Sequence, residues 1–173
     1  MKKLNLKDYI RDIPDFPKKG ILFKDITTLL KDKAALKAAV DSLARAFAKK
    51  DIKYVVGIES RGFIFGTALA YRLGTGFIPV RKKGKLPAKT RAVMYALEYG
   101  TDSLEIHADA LKKGDKVVIV DDLLATGGTI AAAIKLVAGS GAKIEGVGFV
   151  IELSFLNGRK KLGGLPVFSV MQY

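Results

Sequence analysis

Apolar residues in this chain alternate between short unbroken runs and longer stretches with a helical repeat. Tyr54–Ile58 (YVVGI) and residues 117–120 (VVIV) are continuous and rich in β-branched side chains. That is the pattern of strands buried on both faces of a parallel sheet. Residues 77–80 and 146–151 read as further strands, and 167–170 as a last, edge strand. Helical stretches lie between them. Asp32 stands where it can cap a helix over 33–50, with Leu36, Val40, Leu43 and Phe47 on one stripe. Gly62–Leu73 is apolar nearly all round, which predicts a buried helix. Another helix opens near Ile130, with Ile130, Ile134 and Val137 on one side. Runs at 92–98 and 103–107 flank Tyr99-Gly100-Thr101-Asp102 and predict an antiparallel hairpin. Alternating strands and helices predict an α/β fold, a mainly parallel central sheet flanked by helices. At 173 residues, with no internal repeat and no Pro/Gly linker, the chain is expected to form one domain over 1–173.

Composition narrows the class. Hydrophobic residues make up 49% of the chain, enough to cover a sheet on both faces. Without cysteine there is no disulfide, thiolate nucleophile or thiolate metal site. No run of about 18 apolar residues would span a membrane and no signal peptide is evident, so a cytoplasmic protein is expected. The net charge of +13 admits nucleic acid, an anionic surface or a highly anionic small substrate as partner. Much of the excess is dispersed in pairs such as Lys18-Lys19, Lys49-Lys50, Lys112-Lys113 and Lys160-Lys161, as on solvated helix ends and loops. Residues 81–91 (RKKGKLPAKTR) are denser, with six basic residues in eleven. They lack interleaved aromatics, so base stacking and specific nucleic-acid binding are not indicated.

The most informative segment is 117–130, VVIVDDLLATGGTI. Two carboxylates, Asp121 and Asp122, come where the strand is expected to end, and the small-residue turn Ala125-Thr126-Gly127-Gly128-Thr129 leads into a helix. In open α/β sheets ligands bind beyond the carboxyl ends of the strands. Consecutive N–H groups, two threonine hydroxyls and a positive helix N-terminus suit a phosphate monoester. The acids would repel a phosphate but can accept hydrogen bonds from the hydroxyls of an attached ribose. The segment therefore reads as a cradle for ribose 5-phosphate. No Gly-Lys-Ser/Thr follows the glycines, so it is not a Walker loop; nor is there a G-x-G-x-x-G dinucleotide fingerprint. Residues 117–129 resemble the phosphoribosyl pyrophosphate (PRPP) signature of type I phosphoribosyltransferases.

A second strand–helix junction, Gly57-Ile58-Glu59-Ser60-Arg61-Gly62, offers an anion nest at Ser60 with Arg61 beside it. PRPP carries a diphosphate at C1 and a monophosphate at C5, so two nests about one ribose apart match it. The basic loop, with Arg81, Lys82 and Lys85, could fold over departing pyrophosphate and exclude water.

Further motifs fall in order along residues 10–173: F-P-x-x-G-I-x-F-x-D-I from Phe16, G-x-E-S-R-G-F, R-K-x-G-K-L-P, L-E-Y-G, the PRPP segment and E-L-x-x-L-x-G-R from Glu152. Together they resemble the adenine phosphoribosyltransferases. The resemblance implies the type I phosphoribosyltransferase fold, with a small N-terminal hood at about 1–30 and a flexible hairpin or lid at about 82–106. It implies the reaction of adenine with PRPP to give AMP and pyrophosphate, with Mg²⁺ held mainly by substrate oxygens rather than by protein ligands, and a homodimer. The hood would read adenine through backbone groups around Leu22, Phe23 and Lys24, with Phe23 stacked on one ring face and Leu153 over the other. The Glu59–Ser60 peptide matches a family position that often adopts a cis form beside pyrophosphate. Glu98 matches a carboxylate near the reacting nitrogen, and Tyr99 beside it a PRPP contact. With Asp121 and Asp122, Glu98 completes the expected catalytic set. A transferase for hypoxanthine, guanine or xanthine, and a PRPP-sensing regulator that binds nucleic acid, are the alternatives. The single histidine, His107, reads as a structural or surface residue, and the resemblance does not explain the high charge.

Overall fold

The computed structural model describes residues 4–96 and 101–173. An N-terminal two-stranded antiparallel sheet pairs β1 (Arg11–Ile13) with β2 (Phe23–Asp25). Asp25 fastens it. Its carboxylate accepts from the Thr27 N–H and hydroxyl and from Arg11 Nε and Nη2, and these bonds, the Thr27 N–H first, hold its pKa down to about 2. Helices α1 (Thr27–Lys31) and α2 (Lys33–Phe47) follow. Asp32 caps α2 as expected, accepting from the N–H groups of Ala34 and Ala35 at 2.9 Å. The buried stripe of α2 runs through Ala35, Ala39, Val40, Leu43 and Phe47; Leu36 lies at its margin.

The main sheet has seven strands, ordered β5-β6-β4-β3-β7-β8-β9. β3 is Tyr54–Ile58, β4 Gly76–Lys82, β5 Thr90–Ala96, β6 Thr101–His107, β7 Lys116–Leu124, β8 Lys143–Glu152 and β9 Val167–Gln172. β4, β3, β7, β8 and β9 are parallel, whereas β6 joins β4 antiparallel through Arg81↔Glu105 and Lys82↔Leu104 and pairs with β5 as the expected hairpin. Helix α3 (Gly62–Leu73) connects β3 to β4, and α4 (Gly128–Ala138) connects β7 to β8. The pleat sorts the core. Val118 and Val120 point to the layer of α2 and α3, while Val117 and Ile119 point to that of α4. Among the described residues no helix is long and apolar enough to cross a membrane.

Four expectations need correction. α3 is not buried all round: Ile64 is 43% and Tyr71 89% exposed, because α3 lies on the outside of the sheet with Gly62, Phe65, Gly66, Leu69 and Ala70 turned inward. The basic stretch 81–91 is not all loop. Arg81 and Lys82 close β4, and Thr90 and Arg91 open β5. Both acids lie inside β7 rather than at its end. β3 stops pairing at Val120, but β8 continues alongside β7 through Asp121↔Phe149 to Leu124↔Glu152. Finally, α4 opens at Gly128, two residues before Ile130, since Gly127 already makes the turn with φ 80°.

Candidate active site

The chain leaves β3 toward β4 on one side and later returns at β7 to continue toward β8 and β9 on the other. The carboxyl ends of β3 and β7 therefore flank the switch point of the sheet, where such folds open a crevice. Both segments expected to hold anions, 57–62 and 125–129, sit there.

Ala125, Thr126, Gly127, Gly128 and Thr129 line a cavity of about 90 Å³ together with Asp121. The first N–H groups of α4 have no partner within the helix. The loop is shaped by backbone packed on backbone. A methyl group on Gly127 would come within 2.5 Å of Gly158 O, and one on Gly158 would collide with Ala125 O. Gly158 belongs to the E-L-x-x-L-x-G-R motif, and Arg159 beside it makes paired hydrogen bonds of 2.6 Å each to Glu152 at the end of β8.

Asp121 and Asp122 line the adjoining cavity of about 450 Å³ with Glu59, Ser60, Arg61 and Thr129. Burial raises Asp121 well above the usual carboxylate range, and the Asp122 charge raises it further. Burial also raises Asp122, against the opposing pull of Arg61, whose Nε lies 2.9 Å from Asp122 Oδ2. That oxygen is nevertheless buried without a hydrogen-bond partner. The pair thus offers a desolvated acceptor that is ion-paired with Arg61 but not hydrogen-bonded. Gly62 permits the approach of α3, since a Cβ there would lie 2.7 Å from Asp121 Oδ1.

At the β3–α3 junction the Glu59–Ser60 peptide is cis. Burial alone would raise Glu59, but hydrogen bonds from Arg81 Nε (3.2 Å), Arg81 Nη2 (3.1 Å) and the Lys82 N–H (3.0 Å) outweigh it, and its pKa is lowered. The structure joins Glu59 and Arg81 to each other, and Arg81 Nη1 also donates to Lys85 O, so the guanidinium anchors the loop. Lys82 faces the crevice, its Nζ 3.1 Å from Asp102 Oδ2; Lys85 is exposed and lines none of these cavities.

Over the crevice the hood closes a cavity of about 800 Å³ bounded by Leu22, Phe23 and Lys24 on one side and Leu123, Leu153 and Phe155 on the other. Phe23 is braced edge-to-face by Phe16, with ring centroids 5.1 Å apart, and the Arg61 guanidinium lies 5.1 Å from its centroid. Lys24 is 7% exposed, with its ammonium 2.7 Å from Asp12 and 4.0 Å from the Tyr173 ring. Its side chain is therefore engaged inside the hood.

Comparison with known proteins identifies this arrangement. The phosphoribosyl transferase domain model matches residues 26–161. An adenine phosphoribosyltransferase of Trichormus variabilis is 60% identical over 98% of this chain and 100% of its own length. The chain belongs to the adenine phosphoribosyltransferase branch of this family. The crystal structure of adenine phosphoribosyltransferase from Thermoanaerobacter pseudethanolicus superposes with a TM-score of 0.94, at 56% identity over 97% of this chain and 98% of that one. The Saccharomyces cerevisiae enzyme, solved with adenine and an imino-altritol bisphosphate, gives a TM-score of 0.90 at 45% identity, over 95% and 96% of the two chains.

Within this phosphoribosyltransferase crevice the three cavities share Leu123 and Thr129. The structure brings Glu59, Ser60, Arg61, Lys82, Asp121, Asp122 and residues 125–129 together beneath Leu22, Phe23, Lys24 and Leu153. Arg81 and Lys85 stand behind the first row. Glu98 and Tyr99 lie outside the described residues. Several crevice residues escaped the sequence reading, among them Leu123, Lys161, Tyr95, Asp102, Phe155 and Leu156. Tyr95 and Asp102 face each other across the hairpin with Tyr95 OH 3.3 Å from Asp102 Oδ2, and burial raises the Tyr95 pKa. The expected runs, 92–98 and 103–107, left Asp102 in the turn; the strands actually span Thr90–Ala96 and Thr101–His107, and this shifted register is what sets it opposite Tyr95. Phe155 and Leu156 are exposed apolar residues of this cavity; Leu156 is a fixed position of the E-L-x-x-L-x-G-R motif, whereas Phe155 falls at one of its variable positions. A separate polar cleft of about 460 Å³ at the opposite end of the sheet has its charges paired, Lys53 with Asp115 and Lys116 with Asp51.

Proposed function

We infer that the protein acts as an adenine phosphoribosyltransferase, transferring the 5-phosphoribosyl group of PRPP to adenine in purine salvage. The observation that carries this reading is the continuity of the crevice. An apolar slot, a desolvated acidic pair held by Arg61 and a backbone-lined loop adjoin in the order base, ribose, 5-phosphate. The 5-phosphate sits on Ala125–Thr129. Asp121 and Asp122 accept from the ribose hydroxyls, and their charge favours the positive character that develops at C1 and the ring oxygen. Ser60, Arg61 and Lys82 attend the diphosphate. Arg61 exchanges Asp122 for this more highly charged partner as PRPP binds. Adenine lies between Phe23 and Leu153. Its N9 forms the new bond to C1 while the C1–O bond breaks, the electron pair leaves with pyrophosphate, and Glu98 receives the N9 proton.

Mg²⁺ would be held by diphosphate oxygens and water, and there it would neutralise charge on the leaving pyrophosphate. The absence of cysteine suits the reducing cytoplasm, where we place the enzyme. The deciding assay is PRPP-dependent formation of AMP and pyrophosphate from adenine, and its failure with well-folded protein would remove this reading.

Two further outcomes are expected. Gly158→Ala should push the 125–128 loop off its position and lower kcat/KM for PRPP by roughly tenfold to a hundredfold, since sub-ångström placement matters at such sites. Unchanged kinetics in that variant would mean that the Gly158 contact does not shape the cradle. The protein should also be a homodimer, a closed two-fold pair being the commonest assembly. Light scattering should return about twice the 18.7 kDa chain mass. A fully active monomer would contradict this.

A further inference from the structure

Three cations line the large cavity: Lys24, Arg61 and Lys161. Two are committed to carboxylates, Lys24 to Asp12 at 2.7 Å and Arg61 to Asp122 at 2.9 Å. Lys161 pairs with no carboxylate among the described residues. It shares its cavity with Ala125, Thr126 and Gly128 of the cradle loop, and it comes from the turn Gly158–Lys161, far from the signature segment in sequence.

We propose that Lys161 supplies the full positive charge of the 5-phosphate site, recognising the monophosphate shared by PRPP and AMP. This rests on the function inferred above. A phosphate monoester carries close to two negative charges at neutral pH. The N–H groups and hydroxyls of 125–129 offer only partial charges, and the neighbouring acids oppose the ligand. One ammonium at the rim balances the site without restricting the loop. The turn that carries it is fixed from two sides. Gly158 packs backbone to backbone against Ala125 and Gly127. Arg159 is held by both oxygens of Glu152, which is 4% exposed and also accepts from Ser169 Oγ at 2.6 Å. The Glu152–Arg159 pair is thus the positioning device for the turn that carries Lys161, which lines the large cavity at the side of the loop though not the small cavity within it, whereas its neighbour Lys160 lines none of these cavities.

Lys161→Ala should raise KM for PRPP and the Kd of AMP, measured by calorimetry, about fivefold or more, the scale of one partly exposed charge-assisted contact. KM for adenine, and KM for pyrophosphate in the reverse reaction, should stay within about twofold. Lys161→Arg should retain most of the affinity for both phosphate ligands. Lys160→Ala removes the same net charge and should leave all four constants unchanged. The proposal is overturned if AMP affinity is unchanged in Lys161→Ala, if Lys160→Ala weakens AMP equally, or if the adenine constant rises by the same factor. A selective rise in the pyrophosphate constant would also overturn it, placing Lys161 at the diphosphate instead. If the unmutated protein forms no AMP from adenine and PRPP, the functional reading itself fails, which is a separate result.

Discussion

Hypoxanthine and guanine should be used at least about 10³-fold less efficiently than adenine, because a site built to pair with one hydrogen-bonding edge rejects the other by leaving buried groups unpaired. The physical basis is the hood. β2 pairs with β1 along one side only, so its other side presents main-chain N–H and C=O groups without a strand partner. Main-chain groups alternate sides along a strand, so every second residue of the segment Leu22, Phe23 and Lys24, which bounds the slot, turns its N–H and C=O that way. They are rigid, since Asp25 ties β2 to Arg11 and Thr27 and the Phe23 ring is braced by Phe16. Changing the 6-amino group to a 6-oxo group reverses the donors and acceptors along that edge, and a fixed backbone cannot turn over to follow. The measurement is kcat/KM for each base at saturating PRPP. A preference for adenine below about tenfold would mean that the slot reads shape and stacking only.

Asp121→Asn and Asp122→Asn should each lower kcat by about 10²-fold or more, the usual scale for removing a group that meets charge developing in the transition state. KM for PRPP should change less. The two variants should also be at least as stable as the parent at neutral pH. Both pKa values are raised in the folded protein, by burial first and, for Asp121, by its like-charged neighbour. An acid whose pKa rises on folding costs stability wherever the unfolded chain has already released the proton. That cost is absent below the unfolded carboxylate value and is fully present above the folded one. Removing one charge of the pair removes part of it, so Tm at pH 7 should hold or rise while turnover falls. The same shifts place the acid limb of the pH–kcat profile above the ordinary carboxylate range. A loss confined to KM would show that the acids merely hold ribose, and a lower Tm would mean that burial is not their dominant cost.

The central unit of this site was readable in one dimension because it is contiguous. Strand, acids, turn and helix occupy residues 116–138 in sequence order, and each step has a local cause: β-branched residues for the strand, glycines for the turn, an apolar stripe for the helix. The cap at Asp32, the hairpin and the parallel strands were readable for the same reason. The strand length around Asp121 and Asp122 was not. It depends on β8 continuing beside β7 after β3 has stopped, which is a property of the neighbours. Nor did composition reveal that α3 has an exposed face, because the apolar Ile64 and Tyr71 look local kin to the buried Phe65 and Leu69.

By itself, then, the sequence determined the α/β alternation, the two anion nests, the acidic pair and the family to which they belong, all carried by residues within a few positions of one another. Tertiary structure alone decided which distant groups meet: Gly158 on Gly127, Arg61 between Asp122 and the Phe23 ring, Arg81 on Glu59, and Lys161 beside the cradle. These contacts join segments brought together by strand order and by the crossing of α3 and α4 on opposite faces of the sheet. Their energies depend on burial and on the local field, and neither is a property of a residue until its neighbours are in place.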